Sequence, residues 1–493
     1  MASSRKRSSS RAAADLVSRV TEQLAGVVKP GERLVVALSG GVDSAVLLDI
    51  LQRLRARLRV RVSALHVNHQ LSRNAARWAT FCGRFCRERR IPLRRVKVDV
   101  CRADSVEAGA RAARYEVYAR QRCEYLVLAQ HQDDQVETVL LQLLRGTGVS
   151  GLAGMPPVRK MNGGRRQAEG ARRSDRNAAV AIRDAPPAIL RPLLDATRRQ
   201  ILDYAQQRGI EWVEDESNAD VRFARNFLRH EVLPLLARRF PAYRTTIARA
   251  SRHFAETAGL LDELAAADGA GCLNGGVLEV AALRRLSPAR ARNLMRYFLA
   301  GHGLLMPAAA QLDEALQQAL HGRRDAQVLI ALGQFDVRRF EDRLYVVAAL
   351  ATPRPGQARC WRGERRLALP ELGGVLVMTP GRGQGVSVAR LGDEVSVRAR
   401  RGGERLQPDC HRPRRTLKNL LQEARVPPWE RERLPLVFSG RDLVWAPGIG
   451  IDCAYQAGPD ELAVCPSWEV GGHPRFAEGA RDVRWGGNIR AGG

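Results

Sequence analysis

Residues Leu34–Ser44 read LVVALSGGVDS and join a short apolar run to a loop with two glycines, two serines and one aspartate. The apolar run predicts a buried β-strand, and a helix is predicted to begin near Asp43. Glycine tolerates positive φ and lets backbone N–H groups approach a ligand without an intervening Cβ. Such N–H groups, together with those at the start of a helix, bind phosphate. The stretch therefore predicts a phosphate-binding turn between a strand and a helix.

Short apolar runs alternate with helical patterns from this turn to about Gly146. Strands are predicted at Arg33–Leu38, Leu58–Val67, Leu93–Val98 and Tyr125–Ala129. Helices are predicted at Asp43–Arg55, Arg73–Arg89, Ser105–Arg122 and Gln132–Arg145. This alternation predicts an α/β fold with a doubly wound, Rossmann-like parallel sheet covered by helices on both faces. In such sheets, ligands bind beyond the carboxyl ends of the strands.

A second motif, HQDDQVET at His131–Thr138, follows the fourth predicted strand. On a helix, Asp133 and Asp134 share a face with Glu137, because residues three or four positions apart are neighbours. Clustered carboxylates repel one another unless a cation compensates, and Mg²⁺ or a substrate ammonium group would do so. The alternative is a solvated acidic helix start, which the helix dipole favours. Because the Ser39 turn is predicted at the same edge of the sheet, we interpret the His131–Thr138 motif as part of a binding site rather than as a solvated helix start.

The composition points to an anionic partner. The chain has 493 residues, 45% of them hydrophobic, with 80 Lys and Arg against 52 Asp and Glu, a formal net charge of +28. That length predicts two or three domains. A positive field of this size attracts nucleic acid, although an arginine-rich coding bias would produce the same excess.

The nine cysteines do not indicate a small secreted scaffold or an iron–sulfur site, because no Cys-x-x-Cys pair occurs. Cys82 and Cys86 are interpreted as a buried helix face rather than metal ligands. The basic, serine-rich N-terminus lacks an apolar core typical of a signal peptide, and no apolar run is long enough to span a membrane. These features predict a soluble, cytoplasmic protein.

Composition and pattern also predict the division of the chain. An α/β domain at residues 15–235 is followed by a helical and α+β domain at 236–350 and a small α+β domain at 377–466. The connecting parts are predicted as a disordered extension at 1–14, a disordered insertion at 158–187, a linker at 351–376 and a flexible tail at 467–493.

The Ser39–Ser44 string resembles the pyrophosphate loop of N-type ATP pyrophosphatases (PP-loop family), and it lacks the Gly-Lys-Ser/Thr ending of kinase P-loops. The wider set of motifs resembles the tRNA(Ile)-lysidine synthetase family. In the first half, the matching segments are Ser39–Ser44, His66–His69, Glu107–Tyr115, Asp133–Thr138, Arg145–Gly148, Gly151–Met155, Arg191–Leu194, Asp215–Asn218 and Arg225–Pro234. In the second half, they are Arg401–Arg405, Leu417–Leu421, Val426–Trp429 and Arg433–Leu436. Gln130 departs from the pattern, because many members have a histidine there.

The resemblance implies ATP-dependent ligation of free L-lysine to the 2-position of the wobble cytidine of a CAU-anticodon isoleucine tRNA. The cytosine 2-oxygen is a poor leaving group, so the base is first adenylated with release of pyrophosphate, and lysine then displaces AMP. ATP and Mg²⁺ are the implied co-substrate and cofactor, no membrane is involved, and a homodimer is compatible with the resemblance.

Site residues follow from the same resemblance. The implied ATP-binding residues are Ser39, Gly40, Gly41, Val42, Asp43 and Ser44, with Asp43 also assigned to Mg²⁺. The implied catalytic residues are Asp43, Asp133, Asp134, Glu137, Arg111 and Arg114. Lysine binding is assigned to Asp134, Glu137 and Arg229. tRNA binding is assigned to Arg225, Arg229, Arg401, Arg405, Arg414, Arg415 and Lys418.

Three alternatives remain at this point. A sulfur-inserting tRNA enzyme with the same loop would need a single thiol as carrier, such as Cys82 or Cys86. An amidotransferase synthetase would need an N-terminal cysteine or a glutaminase domain, and neither is visible in the sequence. A non-catalytic tRNA-binding protein would not need to retain Asp43, Asp133, Asp134 and Glu137 together.

Overall fold

The computed structural model describes residues 15–99, 106–161, 186–304, 306–322, 329–333, 335–349, 358–392, 394–470 and 473–474. The chain divides into two compact units, one formed by residues 1–273 with 282–306 and the other by residues 274–281 with 307–493. The predicted disordered extension at 1–14 and residues 162–185 of the predicted insertion lie outside the described residues.

The first unit is built on one six-stranded sheet. Its strands are β1 Arg33–Ala37, β2 Arg61–Asn68, β3 Leu93–Lys97, β4 Tyr125–Val127, β5 Val158–Lys160 and β6 Ala188–Leu190. The strand order is β3-β2-β1-β4-β6-β5, and every pair is parallel except β5 with β6. The chain order reverses between β1 and β4, which is the switch point where open α/β sheets bind ligands. The predicted fold class is confirmed.

Helices cover both faces of this sheet. They are α1 over residues 15–25, α2 Val42–Leu58, α3 Ala75–Glu88, α4 Val106–Ala119, α5 Gln132–Leu144, α6 Val149–Leu152 and α7 Arg198–Gln207. On one face, Leu24, Ile50 and Ile201 join a single apolar core with the strands, and Cys82 and Cys86 are buried in it as predicted. On the other face, α4 contributes Tyr118 to a second cluster. Burial of each large apolar side chain stabilises the fold by about 1.5–3 kcal/mol.

A helical region follows the sheet, as the sequence predicts. It comprises α8 Ala224–Phe227, a π-helical turn at Leu228–Val232, α9 Leu233–Arg239, α10 Tyr243–Gly269, α11 Val280–Arg285 and α12 Pro288–Gly301. Helix α10 packs against α5 and α6. None of the described helices is both long and apolar enough to cross a membrane.

The second unit is mainly antiparallel β-structure with short helices. One sheet has the order β7-β8-β11-β10-β9, from β7 Leu273–Asn274, β8 Val277–Glu279, β9 Leu329–Leu332, β10 Phe335–Phe340 and β11 Arg343–Ala348. The helices are α13 Ala309–His321, α14 Leu417–Glu423 and α15 Pro428–Arg431. The α+β class predicted for this region is confirmed.

Two further sheets complete the second unit. The first has the order β12-β16-β19-β20-β21, from β12 Ala358–Trp361, β16 Val395–Arg398, β19 Leu436–Ser439, β20 Asp442–Ala446 and β21 Gly450–Ile451. The other has the order β13-β14-β22-β15, with β23 beside β22, from β13 Arg366–Leu369, β14 Gly374–Arg382, β15 Val386–Ser387, β22 Leu462–Val470 and β23 His473–Pro474. A short ribbon joins β17 Arg405–Leu406 to β18 Arg415–Thr416.

Three predicted connecting segments contain ordered strands and need correction. The predicted insertion at 158–187 begins with β5, which pairs with β6. The predicted linker at 351–376 contains β12 and β13, which pair with β16 and β14. The predicted tail from residue 467 begins inside β22, which pairs with β14 along its whole length. Strands β5, β12 and β22 pair with segments that are distant in the chain, which local composition does not reveal, whereas β13 forms a hairpin with the adjacent β14.

Candidate active site

The Ser39 turn lies between β1 and α2, at the carboxyl edge of the sheet. Gly40 has a φ of +97°, and a Cβ built there would lie 2.8 Å from Val213 Cγ2 and 3.3 Å from Cys82 Sγ. Residues other than glycine would therefore be strained at position 40. Gly41 has a φ of −72° and caps α2 in an extended conformation, so the backbone does not require a glycine there.

Hydroxyl groups close the turn. The Oγ atoms of Ser39 and Ser44 lie 3.1 Å apart. Ser44 Oγ donates to Gly41 O at 3.0 Å, and Gly41 N donates to Ser39 Oγ at 3.3 Å. These bonds fix the backbone at the start of α2, where N–H groups and the positive end of the helix dipole favour a phosphate.

Three carboxylates surround His131, which is only 1% exposed. His131 Nε2 lies 3.7 Å from Asp43 Oδ1 and 3.5 Å from Asp134 Oδ2, and Nδ1 lies 3.8 Å from Asp133 Oδ2. Asp43 belongs to the turn after β1, while the other residues follow β4. The two motifs that the sequence places at the ends of β1 and β4 therefore meet in one cluster.

Asp43 combines burial with an unsatisfied oxygen. Burial raises the pKa of its carboxyl group, although His131 and Arg198 act in the opposite direction. Its Oδ1 accepts no hydrogen bond from the described residues. No described group of three His, Cys, Asp or Glu residues could hold a metal ion. Mg²⁺ in nucleotide sites commonly uses one or two carboxylates together with substrate phosphates, so Asp43 alone fits such a role.

Glu137 is fully engaged by two arginines. It is 1% exposed and accepts hydrogen bonds from Arg225 Nε at 2.7 Å, from Arg229 Nε at 2.7 Å and from Arg229 Nη2 at 3.0 Å. The same guanidinium groups lie 3.7 and 3.5 Å from Asp134 Oδ1. Burial alone would lower the pKa of Arg229, but the bond to Glu137 raises it. Both oxygens of Glu137 are thus occupied by the protein, which the sequence did not predict.

Asp133 joins three helices. Its Oδ2 accepts the backbone N–H of Arg198 at 3.0 Å, and its Oδ1 accepts from Arg244 Nε. Burial would raise the pKa of Asp133, but these two donors hold it below its usual value. Asp133 therefore stays ionised and ties α5 to the start of α7 and to α10. Asp134 uses Oδ2 to accept the backbone N–H of His131 at 3.0 Å.

Arg111 and Arg114 lie on α4, and their hydrogen bonds are to residues outside the carboxylate cluster around His131. Arg114 Nε donates to His69 Nε2 at 3.1 Å, and Arg111 Nη2 donates to the Tyr115 hydroxyl at 3.4 Å. Burial, with the nearby Arg114 charge, lowers the pKa of His69 to about 4, so its imidazole is neutral at pH 7. No described hydrogen bond or ion pair joins either arginine to Asp43, Asp134 or Glu137.

Several residues of the site were not predicted. Arg198 lies 3.8 Å from Asp43, and Arg244 binds Asp133. Arg191 is 2% exposed and donates to Gln130 and, at 2.8 Å, to Pro156 O. The sequence signal that could have indicated Arg191 is its position directly after the strand Ala188–Leu190, at the same edge of the sheet as the Ser39 turn.

The arginines predicted to bind tRNA in the second unit are partly engaged in other contacts. Arg405 donates to Arg414 O at 3.1 Å, and Arg414 pairs with Asp452 at 2.9 Å. Arg415 pairs with Glu423. Lys418 is exposed.

Three family models match the chain. Residues 12–236 match a PP-loop domain, residues 278–345 a TilS substrate binding domain, and residues 395–468 a TilS substrate C-terminal domain. Among solved structures, a U34-tRNA thiolase from Methanococcus maripaludis matches with 15% identity and a TM-score of 0.39, covering 49% of this chain and 78% of that one. That likeness is too weak to bear on function.

Curated relatives match nearly the whole chain. A tRNA(Ile)-lysidine synthase from Nitrosomonas europaea is 43% identical over 92% of this chain and 95% of its own length. Another from Azoarcus sp. (strain BH72) is 39% identical over 90% of this chain and 93% of its own. Identity of this level over this coverage shows that the chain belongs to the tRNA(Ile)-lysidine synthase family.

Proposed function

We propose that this protein ligates free L-lysine to the 2-position of the wobble cytidine of an isoleucine tRNA with a CAU anticodon, and that ATP is converted to AMP and pyrophosphate. The observation that carries the proposal is the cluster in which Asp43 of the Ser39 turn and Asp134 of α5 both approach His131. The turn proposed to bind phosphate and the carboxylates proposed to bind an amine therefore lie at one edge of the sheet. Family membership supports the same reaction.

In the first step, the Ser39 turn would hold the phosphates of ATP. Backbone N–H groups of Gly40, Gly41 and Val42 and the hydroxyls of Ser39 and Ser44 supply the donors. Asp43 would hold Mg²⁺, which neutralises phosphate charge when bound. The cytidine must leave its stack to reach the α-phosphate, as bases do in other enzymes that act on them. Arg111 and Arg114 are proposed to stabilise negative charge developing during this step.

In the second step, the ε-amine of lysine attacks C2 of the adenylated base, the C2–O bond breaks and AMP leaves. This amine has a pKa of about 10.4 in water, so it must lose a proton before it can attack. Asp134 is proposed to bind the ammonium group, because its carboxylate lies in the cluster and its Oδ1 has only the longer contacts of 3.7 and 3.5 Å with Arg225 and Arg229 among the described residues. Arg229 would contribute to lysine binding, and Glu137 would act by holding Arg225 and Arg229 in place.

Recognition of the tRNA body is proposed for basic side chains in both units. Arg225 and Arg229 lie near the cluster in the first unit, and Arg401, Arg405, Arg414, Arg415 and Lys418 lie in the second. Phosphate contacts of this kind position a nucleic acid rather than select its sequence. We further propose a cytoplasmic location and a homodimer.

Sulfur insertion with Cys82 or Cys86 as the carrier is the weaker alternative. It would need a reactive thiolate, but burial raises the pKa of Cys82 to about 12 and that of Cys86 to about 11. Thiols with such pKa values are almost entirely protonated at pH 7 and are poor nucleophiles.

The experiment is incubation of the full chain with ATP, Mg²⁺, labelled lysine and a CAU-anticodon isoleucine tRNA transcript. We expect label in the tRNA and a mass increase at the wobble cytidine that matches the added lysine. A transcript with a GAU anticodon is the control, since it has no cytidine at that position. Absence of label from the CAU transcript, with an enzyme that still binds ATP, would contradict the proposal.

A further inference from the structure

Three arginines approach the carboxyl edge of the sheet on the side of β4 and β6. Arg191 directly follows β6 and is 2% exposed, whereas Arg111 on α4 and Arg159 on β5 are exposed. We refer to these three residues as the arginine cluster. No described carboxylate forms an ion pair with any of the three.

The buried member is held by neutral groups. Arg191 Nε donates to Gln130 Oε1, Nη1 donates to Pro156 O at 2.8 Å, and the nearby Tyr115 side chain favours the charged form of the guanidinium. Tyr115 in turn accepts from Arg111 Nη2 at 3.4 Å, and the Arg111 guanidinium lies 5.0 Å from its ring centroid. Tyr115 therefore lies near both the exposed and the buried arginine.

No counter-ion for the charge of Arg191 is found among the described residues. Burial lowers its pKa, Tyr115 raises it, and the charges of Arg159 and Arg111 lower it further. Burying a charge without an opposite charge is costly, and burying it near two like charges adds to that cost. An anionic ligand would remove both penalties.

The position of the cluster suits a phosphorylated substrate. Strand β4 lies between β1 and β6, with Val36 and Leu190 both in register with Val127. Strands in a sheet are about 4.8 Å apart, so the chain after β6 lies about 10 Å across the edge from the Ser39 turn. Gln130, which accepts from Arg191, is followed directly by His131 of the carboxylate cluster. The arginine cluster thus flanks the site on the side away from β2.

We infer that Arg111, Arg159 and Arg191 form a binding site for a phosphoryl group of a substrate, with Arg191 as its buried base. The site deepens the proposed function and rests on it, because the reaction brings two phosphorylated substrates to this edge of the sheet. The phosphoryl group belongs either to ATP or to the RNA backbone, and binding measurements on each ligand separate these sources.

The experiment compares the double variant Arg111→Ala/Arg159→Ala with the wild type. Both side chains are exposed, so folding should be preserved. ATP binding is measured by equilibrium dialysis without tRNA, and binding of the tRNA transcript by filter retention over a range of KCl concentrations. Arg199→Ala is the matched control, since Arg199 is 85% exposed and pairs with Asp203 within α7.

We expect one ligand to lose about tenfold or more in affinity, because each charged hydrogen bond to phosphate is worth at least about a factor of ten. If that ligand is tRNA, the salt dependence should also become less steep by about one unit for each lost contact. A loss confined to ATP identifies the nucleotide phosphates, and a loss confined to tRNA identifies the RNA backbone.

Arg191→Met, which removes the buried charge, should reduce affinity for the same ligand, while Arg191→Lys should recover part of it. Wild-type affinity of the double variant for both ligands would overturn the inference. That result is distinct from failure of the proposed function, which would be seen as absence of lysine transfer by the wild type.

Discussion

Asp43 Oδ1 lies 3.7 Å from His131 Nε2, although one residue follows β1 and the other follows β4. The parallel pairing of these strands brings their carboxyl ends together. Asp43 Oδ1 accepts no hydrogen bond from the described residues, and His131 is fully buried between carboxylates. This pairing makes the Ser39 turn and the acidic start of α5 parts of one site.

Asp43→Asn should strongly slow the adenylation step. The substitution keeps the shape of the side chain but removes the charge proposed to hold Mg²⁺ beside the phosphates. Loss of one such group commonly lowers kcat by roughly 10²–10³-fold. Pyrophosphate release in the presence of tRNA measures the step. Affinity for tRNA should stay within about twofold of wild type, because Asp43 is not among the residues proposed to bind tRNA. Asp203→Asn, on the outside of α7, is the control. Unchanged pyrophosphate release would refute the role of Asp43.

Gly40→Ala and Gly41→Ala should behave differently. At Gly40 a Cβ would meet Val213 at 2.8 Å in a backbone with a φ of +97°, whereas at Gly41 it would meet only Ser39 Oγ at 3.5 Å. Left-handed backbone costs an L-residue about 1–2 kcal/mol, before the clash with Val213 is added. Urea denaturation should therefore show a lower free energy of unfolding for Gly40→Ala, together with a raised KM for ATP. Equal stability of the two variants would contradict this account of the turn.

Glu137→Gln should weaken lysine use by releasing Arg225 and Arg229. Removing one partner of a buried ion pair commonly lowers the free energy of unfolding by about 3–5 kcal/mol. Because the two arginines are partly exposed, we expect a decrease of about 2 kcal/mol for this variant. KM for lysine should rise while affinity for ATP is preserved. Glu116→Gln, which removes an exposed ion pair between Glu116 on α4 and Arg120 just after the helix, is the matched control. An unchanged KM for lysine would show that this contact is not needed.

The lowered pKa of His69 should make the free energy of unfolding depend on pH. Burial and Arg114 lower its pKa from 6.5 to about 4, so between these values the unfolded chain binds a proton that the folded chain does not. The free energy of unfolding should therefore fall, through this group, as the pH drops from about 6.5 towards 4. His69→Gln should show a shallower fall over the same window. Identical pH profiles for wild type and variant in urea denaturation would contradict the shifted pKa.

The parts of the fold predicted from the sequence depend on local patterns. The run LVVAL before the Ser39 turn and the apolar periodicity of α2 and α5 specify a strand or a helix within a few residues. Strands β5 and β12 and the end of β22 were missed because their pairing partners are distant in sequence. Local composition carries no information about such pairs.

For the site, too, the sequence predicted the residues that follow strands but not the contacts between distant segments. Asp43 and Asp134 were predicted at one site because each follows the carboxyl end of a predicted parallel strand. The occupation of Glu137 could not be predicted, because it depends on how α8 and the π-helical turn pack against α5. The contact of Val213 with Gly40 and the contact of Arg198 with Asp43 likewise arise from separate segments that fold back over the turn.

The most direct test of the shared site is to measure both half-reactions in Asp134→Asn. If Asp134 binds the lysine ammonium beside the ATP turn, pyrophosphate release with tRNA should continue at near the wild-type rate. Transfer of labelled lysine to the tRNA should then fall by about 10²-fold, the loss typical of a residue that positions or deprotonates a nucleophile. Wild-type lysine transfer by this variant would contradict the account.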